Sequence, residues 1–188
     1  MPDARAVTGL YGKMPAHGDF VRRNLPKSFI DPWDAWLAAG IEAARRRFGE
    51  RWDDAWRRAP VWRFALPPGA CGPDPVTGVF VPSEDSVGRQ FPLTLAAVFA
   101  DAVAGAGDTW WFEQLEQALI AGRSGGADAD AISLGLPEPD ALAEPPELGW
   151  RSAGIPGQVP PMRWPLAGLP PPESFLLFID PAHSEDPA

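Results

Sequence analysis

The run Pro92-Leu-Thr-Leu-Ala-Ala-Val-Phe99 is almost wholly apolar and has the length of a strand, far short of a membrane span. Such a run reads as a central strand covered on both faces, with Pro92 at its first residue, where a missing donor is tolerated. The other strand candidates are shorter. Val61–Leu66 alternates as a half-buried strand does, Gly78–Val81 follows a Pro/Gly turn region, and residues 6–12, with Gly9 and Gly12, form a first strand. Ser174-Phe-Leu-Leu-Phe-Ile179 reads as a last strand that pairs with an earlier one and closes the sheet.

The helices announce themselves by spacing. Asp31 is placed as N-cap and Pro32 at the first helical position, after which Trp33, Trp36, Leu37, Ile41, Ala44 and Phe48 make an apolar stripe opposite the arginines, and Gly49 ends it. A shorter helix at about 50–58 puts Trp52 and Trp56 one turn apart. Asp108 or Thr109 caps a third helix through about Ala121, with Trp111, Phe112, Leu115 and Leu119 toward the core and Gly122 as its stop. Adjacent helix positions point about 100° apart, so of Trp110 and Trp111 one is left at the surface. Trp110 is therefore a candidate anchor for a protein partner. The helical spacing of Trp33, Trp36, Trp52 and Trp56 favours core packing over a ligand cage.

Composition sets limits. The 188 residues predict one domain spanning 1–188, and 45% apolar content is enough to bury a core. There are 24 prolines and 19 glycines, concentrated in an excursion over residues 123–172 that predicts only short elements and low local order. The single cysteine, Cys71, excludes an internal disulfide or a thiolate zinc cluster and reads as a small loop side chain. Neither a membrane span nor a signal peptide is visible, so the expected location is cytoplasmic. A net charge of -9 argues against sequence-independent nucleic-acid binding. That charge is uneven: residues 1–63 hold 12 Lys and Arg against 8 Asp and Glu, the remainder 4 against 17. Arg45, Arg46, Arg47, Arg51, Arg57 and Arg58 crowd one segment, which is either a solvated helix face or a surface for an acidic or phosphorylated partner.

Two clusters carry residue types that chemistry needs. In Gly12-Lys-Met-Pro-Ala-His-Gly-Asp-Phe20, Lys13, His17 and Asp19 lie on a glycine-rich turn that could cradle an anion or do acid–base work, although the spacing of a phosphate loop is absent. The plainer reading is a tight turn at Gly18 with Asp19 bonding nearby backbone N–H groups. In Pro82-Ser-Glu-Asp-Ser-Val-Gly-Arg-Gln-Phe-Pro92, Ser83 is a nominal nucleophile, and Asp85 with Arg89 could complete an anion or hydrolytic site. No nucleophile elbow is present. For Arg89 an ion pair to Asp19 or Asp85, tying the two loops together, is favoured over an anion site. The histidines, His17 and His183, offer no local metal-ligand motif, and neither metal nor cofactor is expected.

The segments Gly9–Val21, Trp33…Trp36-Leu37, Trp62-Arg-Phe64 and Pro82–Leu93, in this order, resemble the TagF (ImpM) family of type VI secretion-associated proteins over about residues 9–100. The resemblance implies a three-layer α/β/α sandwich, longin-like or profilin-like. It also implies a cytoplasmic post-translational repressor of the secretion machine, linked to its threonine-phosphorylation circuit and to a forkhead-associated scaffold protein as partner. Characteristic family positions fall on Gly12, Lys13, Gly18, Asp19, Phe20, Trp36, Ser83, Asp85, Gly88, Arg89, Phe91 and Pro92. The C-terminal strand departs from the family pattern, with Ser174-Phe-Leu-Leu where Ser-Leu-Trp-Trp is usual. No complete catalytic constellation is present, so a non-enzymatic regulator leads. Its rivals are a structural scaffold and an enzyme for a phosphate-bearing or acyl substrate through Lys13, His17, Asp19, Ser83, Asp85 and Arg89.

Overall fold

The computed structural model describes residues 6–100, 108–140 and 143–182. Its strands are β1 (Thr8–Gly12), β2 (Val21–Arg23), β3 (Trp62–Leu66), β4 (Val76–Val81), β5 (Leu93–Val98), β6 (Gly149–Ser152) and β7 (Met162–Trp164). The helices are α1 (Lys27–Phe48), α2 (Trp52–Arg58), α3 (Thr109–Arg123), α4 (Ala129–Gly135) and the single turn α5 (Leu176–Ile179). All seven strands join one sheet in the order β2-β1-β5-β4-β3-β6-β7, with every pairing antiparallel. The apolar β5 lies between β1 and β4, and its two faces feed two cores. Leu93, Leu95 and Ala97 pack with Trp111, Phe112, Leu115 and Leu119 of α3 and Ile132 of α4, while Ala96 and Val98 belong to the core beneath α1 and α2.

On the α1 face the strand register builds a graded row. Gly9 pairs with Ala96, Ala96 with Gly78, Gly78 with Phe64, and Phe64 with Trp150, so small residues occupy one half and aromatics the other. Trp33 of α1 packs over this row with its ring 4.7 Å from Phe64 and 5.7 Å from Phe80. Its indole nitrogen donates to Thr94 Oγ1 at 3.0 Å, which satisfies the polar atom of a side chain with no exposed surface.

Several expectations need correction. Helix α1 begins at Lys27, four residues before the expected Asp31 cap, because Phe29 and Ile30 extend the buried stripe by a turn. Pro32 therefore lies inside the helix, where its ring removes the donor that would meet the Ser28 carbonyl; the chain at Gly72 comes so close that a Cβ there would stand 2.4 Å from that oxygen. At the other end Gly49, φ 55°, terminates α1 as its position predicts. Asp108 caps α3 by accepting from the Trp111 amide at 2.8 Å, but Gly122 does not stop that helix. It is a contact residue: a Cβ on it would meet Ile132 Cδ1 at 2.7 Å and Met14 Cε at 2.9 Å.

The expected strand 174–179 is helical. A 3-10 turn over Pro172–Ser174 runs into α5, and Phe175, Phe178 and Ile179 are buried together on a helical spacing. Pro172 is pre-set for the first position of the turn, and an apolar run of five, Phe175 to Ile179, satisfies either period. The sheet is extended instead by β6 and β7, both from within the excursion, which also contains α4. Tryptophans help to hold this proline-rich chain. Indole N–H groups of Trp36, Trp111 and Trp150 donate to the carbonyls of Pro170, Pro137 and Gly168 at 2.8, 3.0 and 3.1 Å. Carbonyls in such segments lack ladder partners, so each bond satisfies a group that secondary structure leaves open. Among the described residues no helix is long and apolar enough to cross a membrane.

Candidate functional site

Two turns meet at one end of the sheet because β1 and β5 are neighbours. Gly12 closes β1 with φ 131°, and a Cβ on it would lie 1.9 Å from the Pro92 carbonyl oxygen, so only glycine permits this approach. The segment from Ser83 to Phe91 folds back on itself: the Asp85 amide donates to the Arg89 carbonyl at 3.1 Å and the Phe91 amide to the Ser83 carbonyl at 3.1 Å, with Gly88 at φ 82° in the turn. The turns are then tied to each other. Ser86 N donates to the His17 carbonyl at 2.8 Å, and Arg89 Nη2 to the Gly18 carbonyl.

Asp85 is the hub of the junction. Its Oδ1 accepts from the amides of Val87 (3.1 Å) and Arg89 (2.9 Å), and its Oδ2 from Lys13 Nζ (3.0 Å) and Arg89 Nε (2.7 Å). Burial by itself would raise the pKa of this carboxyl, but the amide of Arg89, the ammonium of Lys13, the amide of Val87 and the guanidinium together hold it well below the usual carboxylate range. Two cations share one carboxylate. Part of the surplus charge is met by the face of Phe20, whose centroid lies 4.9 Å from Lys13 Nζ, and that ring stacks on Tyr11 and meets Phe91 edge-on. Tyr11 donates in turn to Asp34 Oδ1 of α1 at 2.6 Å; burial first and this bond second push its phenol well above the ordinary range.

The remaining sequence candidates separate from this hub. Asp19 is exposed and, among the described residues, accepts only from the neighbouring Phe20 amide, at 2.7 Å, so the carboxylate that Arg89 pairs with is Asp85. His17 turns to the other core, where its Nε2 accepts from the Ala129 amide at the first residue of α4, 3.0 Å away. Ser83 is buried, its carbonyl accepting from Trp56 Nε1 at 3.0 Å, yet its Oγ has no hydrogen-bond partner among the described residues. A nucleophilic serine needs a base within hydrogen-bond reach, and none is placed there. An unsatisfied buried hydroxyl costs about 1–3 kcal/mol. Among the described residues there is also no group of acids, histidines and cysteine arranged to hold a metal ion. Cys71 is buried, and burial pushes its thiol up to about 12, away from thiolate chemistry.

The arginines line the exposed sides of α1 and α2. Arg46 pairs with Glu42 at 3.6 Å and Arg58 with Asp54 at 3.2 Å, both pairs well exposed, whereas Arg47, Arg51 and Arg57 have no ion pair among the described residues. Trp110 is 57% exposed while Trp111 is buried.

Sequence reasoning missed Gln90. Its Oε1 accepts from Trp52 Nε1 (2.6 Å) and Arg45 Nη2 (3.1 Å), and its Nε2 donates to Asp53 Oδ1 (2.9 Å), so it joins the loop junction to the arginine-bearing helices. Its place between Arg89 and Phe91 in the quoted motif was the available signal. The bidentate pair of Arg63 with Glu116 (2.7 and 2.9 Å), which fastens α3 to β3, has no local signal because 53 positions separate the partners.

The family model described as the TagF N-terminal domain, type VI secretion system-associated, matches residues 9–137. Among solved structures the chain is similar to the crystal structure of PA0076 from Pseudomonas aeruginosa PAO1, with 35% identity and a TM-score of 0.75 over 92% of this chain and 93% of that one. No curated protein matches the chain.

Proposed function

The chain belongs to the TagF N-terminal domain family, associated with type VI secretion, and from that membership we propose that it is a cytoplasmic repressor of the secretion machine that acts by binding rather than by turnover. The partner in this reading is a component of the threonine-phosphorylation circuit, such as its forkhead-associated scaffold. The observation that carries it is the arginine-rich stretch from Arg45 to Arg58, a basic surface on an acidic chain in which Arg47, Arg51 and Arg57 have no described ion pair. The internal pairing of Lys13, Asp85 and Arg89 supports it from the other side, since a carboxylate with four donors has little capacity left for general-base work. We also infer that residues 1–188 form one domain of longin-like or profilin-like type, because both cores are built on a single sheet with helices on each face.

Removing the gene should raise secretion, and overproduction should silence it. The double reversal Arg46→Glu with Arg57→Glu should weaken partner binding and flatten its salt dependence, with a melting temperature close to that of the parent. Full repression by this variant would discard the arginine surface. A hydrolytic turnover abolished by Asp85→Ala or Ser83→Ala would replace the reading with an enzyme acting on a phosphate-bearing or acyl substrate.

A further inference from the structure

Strands β3, β6 and β7 carry three arginines in one lateral row. Arg63 stands directly opposite Arg151, and Arg151 directly opposite Arg163. Their chain neighbours Phe64, Trp150 and Trp164 belong to the core beneath α1 or pack against it, so the arginines point to the other side of the sheet, on which α3 lies over β4 and β5. Facing side chains in such a ladder have Cβ atoms about 5 Å apart, and like charges so placed repel. The two outer members are neutralised: Arg63 makes its bidentate pair with Glu116, and Arg163 pairs with Glu147. Arg151, half-buried between them, makes no hydrogen bond or ion pair among the described residues.

Arg151 and Arg63 line a pocket of about 300 Å3, at the small end of the range for ligand sites. Phe112 and Pro146 supply apolar walls. Three acids stand at the exposed rim, and their charges are differently spent: Glu147 on Arg163, Asp108 on the cap of α3, and Glu144 on no ion pair among the described residues. With both outer pairs cancelled, the row leaves one cation, Arg151, for an incoming group. Its planar fork matches a carboxylate, whose two oxygens it can hold side by side. A phosphate dianion would add a charge that no free cation meets and that the rim acids repel. The setting also fits a protein as the donor of that carboxylate. Trp110, 57% exposed, follows the pocket residue Thr109 in the first turn of α3, and exposed tryptophan and arginine are the side chains that most often anchor interfaces.

We propose that this pocket receives the side-chain carboxylate of an aspartate or glutamate in a partner protein, with Arg151 holding both oxygens. The proposal stands on the strand register and the pocket, and does not depend on the repressor reading.

Nitrogen-15 NMR of the arginine Nε–Hε groups tests it, with the blocked peptide acetyl-Gly-Glu-Gly-amide as probe, its glutamine counterpart as control, and sodium phosphate and sodium succinate at matched ionic strength. The glutamate peptide should shift the Arg151 signal saturably and the glutamine peptide should leave it in place. Arg151→Lys should weaken binding about tenfold, since an ammonium has no fork, and Glu144→Gln should tighten it. Arg151→Gln should abolish the peptide-induced shifts at the Thr109 and Phe112 amides while melting at or above the parent temperature, because the residue it removes has a cation on each side and no partner. That melting result separates a binding residue from a structural one; a much lower melting temperature, or failure to fold, in both Arg151→Gln and Arg151→Lys would show that the guanidinium is spent within the fold and would overturn the proposal. Equal shifts with the glutamate and glutamine peptides would do so as well, as would glutamate-peptide shifts of the same size at the exposed Arg47 and Arg57. Phosphate or succinate binding more tightly than the glutamate peptide would remove the protein carboxylate as occupant.

Discussion

Asp85 takes four hydrogen bonds from three residues, and its worth to the fold depends on its charge. Its folded carboxyl titrates below the ordinary value near 3.9, so the unfolded chain binds a proton first. The contribution is therefore complete above about pH 4 and is lost as pH falls from there toward the depressed folded value. Melting temperature measured from pH 5 to pH 2 should fall less steeply in Asp85→Asn than in the parent, and at pH 7 the variant should melt lower; parallel acid limbs would show that Asp85 is no hub. The two cations differ as well. Lys13 has 9% of its side chain exposed and Arg89 59%, so Lys13→Met should lower the melting temperature more than Arg89→Ala. Sequence brought Lys13, Asp85 and Arg89 forward as chemical residue types. It could not say that Asp19 and His17 face elsewhere, because which side of a turn a group faces is set by the strand that the turn packs against.

At the scale of elements, the last apolar segment separates helix from strand by its pattern of burial. A strand would bury Phe175, Leu177 and Ile179 on one face; in α5 and the turn before it the buried set is Phe175, Phe178 and Ile179, with Leu177 half-buried. Phe178→Ala should cost about 3–5 kcal/mol in urea unfolding and Leu177→Ala about 1 kcal/mol. Equal losses, or the reverse order, would restore the strand. In α3 the close contacts of Gly122 with Ile132, Met14 and Leu93 predict that Gly122→Val destabilises even though valine is tolerated at a helix end. Helices α1, α2 and α3 were legible from their apolar spacing, since a buried stripe repeats at 3.6 residues wherever the helix lies. Their ends were less so. Lys27 to Ile30 are helical because the core has room for Phe29 and Ile30, which propensity does not report.

For the whole molecule, the question is how a chain with 24 prolines keeps its excursion ordered. Part of the answer is long-range: Trp36 of α1 holds the Pro170 carbonyl across 134 positions, Trp150 of β6 holds Gly168, and Trp111 of α3 holds Pro137. Trp36→Phe and Trp150→Phe keep most of the aromatic packing and delete only the donor. Limited proteolysis should then cut the segment 165–171 faster in either variant than in the parent, with far-ultraviolet circular dichroism unchanged. Unaltered cleavage would mean that packing, rather than these bonds, holds the segment.

What the sequence determined by itself follows from local pattern. The apolar run at 92–99 required cover on both sides, the tryptophan stripe required a helix over the sheet, and the ordered motifs across residues 9–93 carried the family. Pairing partners were decided only in three dimensions. The neighbours β1 and β5 are some eighty residues apart, β3 gains β6 from a segment that reads as holding only short elements, and the apolar run at 175–179 satisfies two periods at once. In each case the choice rests on what a side chain meets across the core, and a strand without its sheet leaves no trace of its partner in the order of residues.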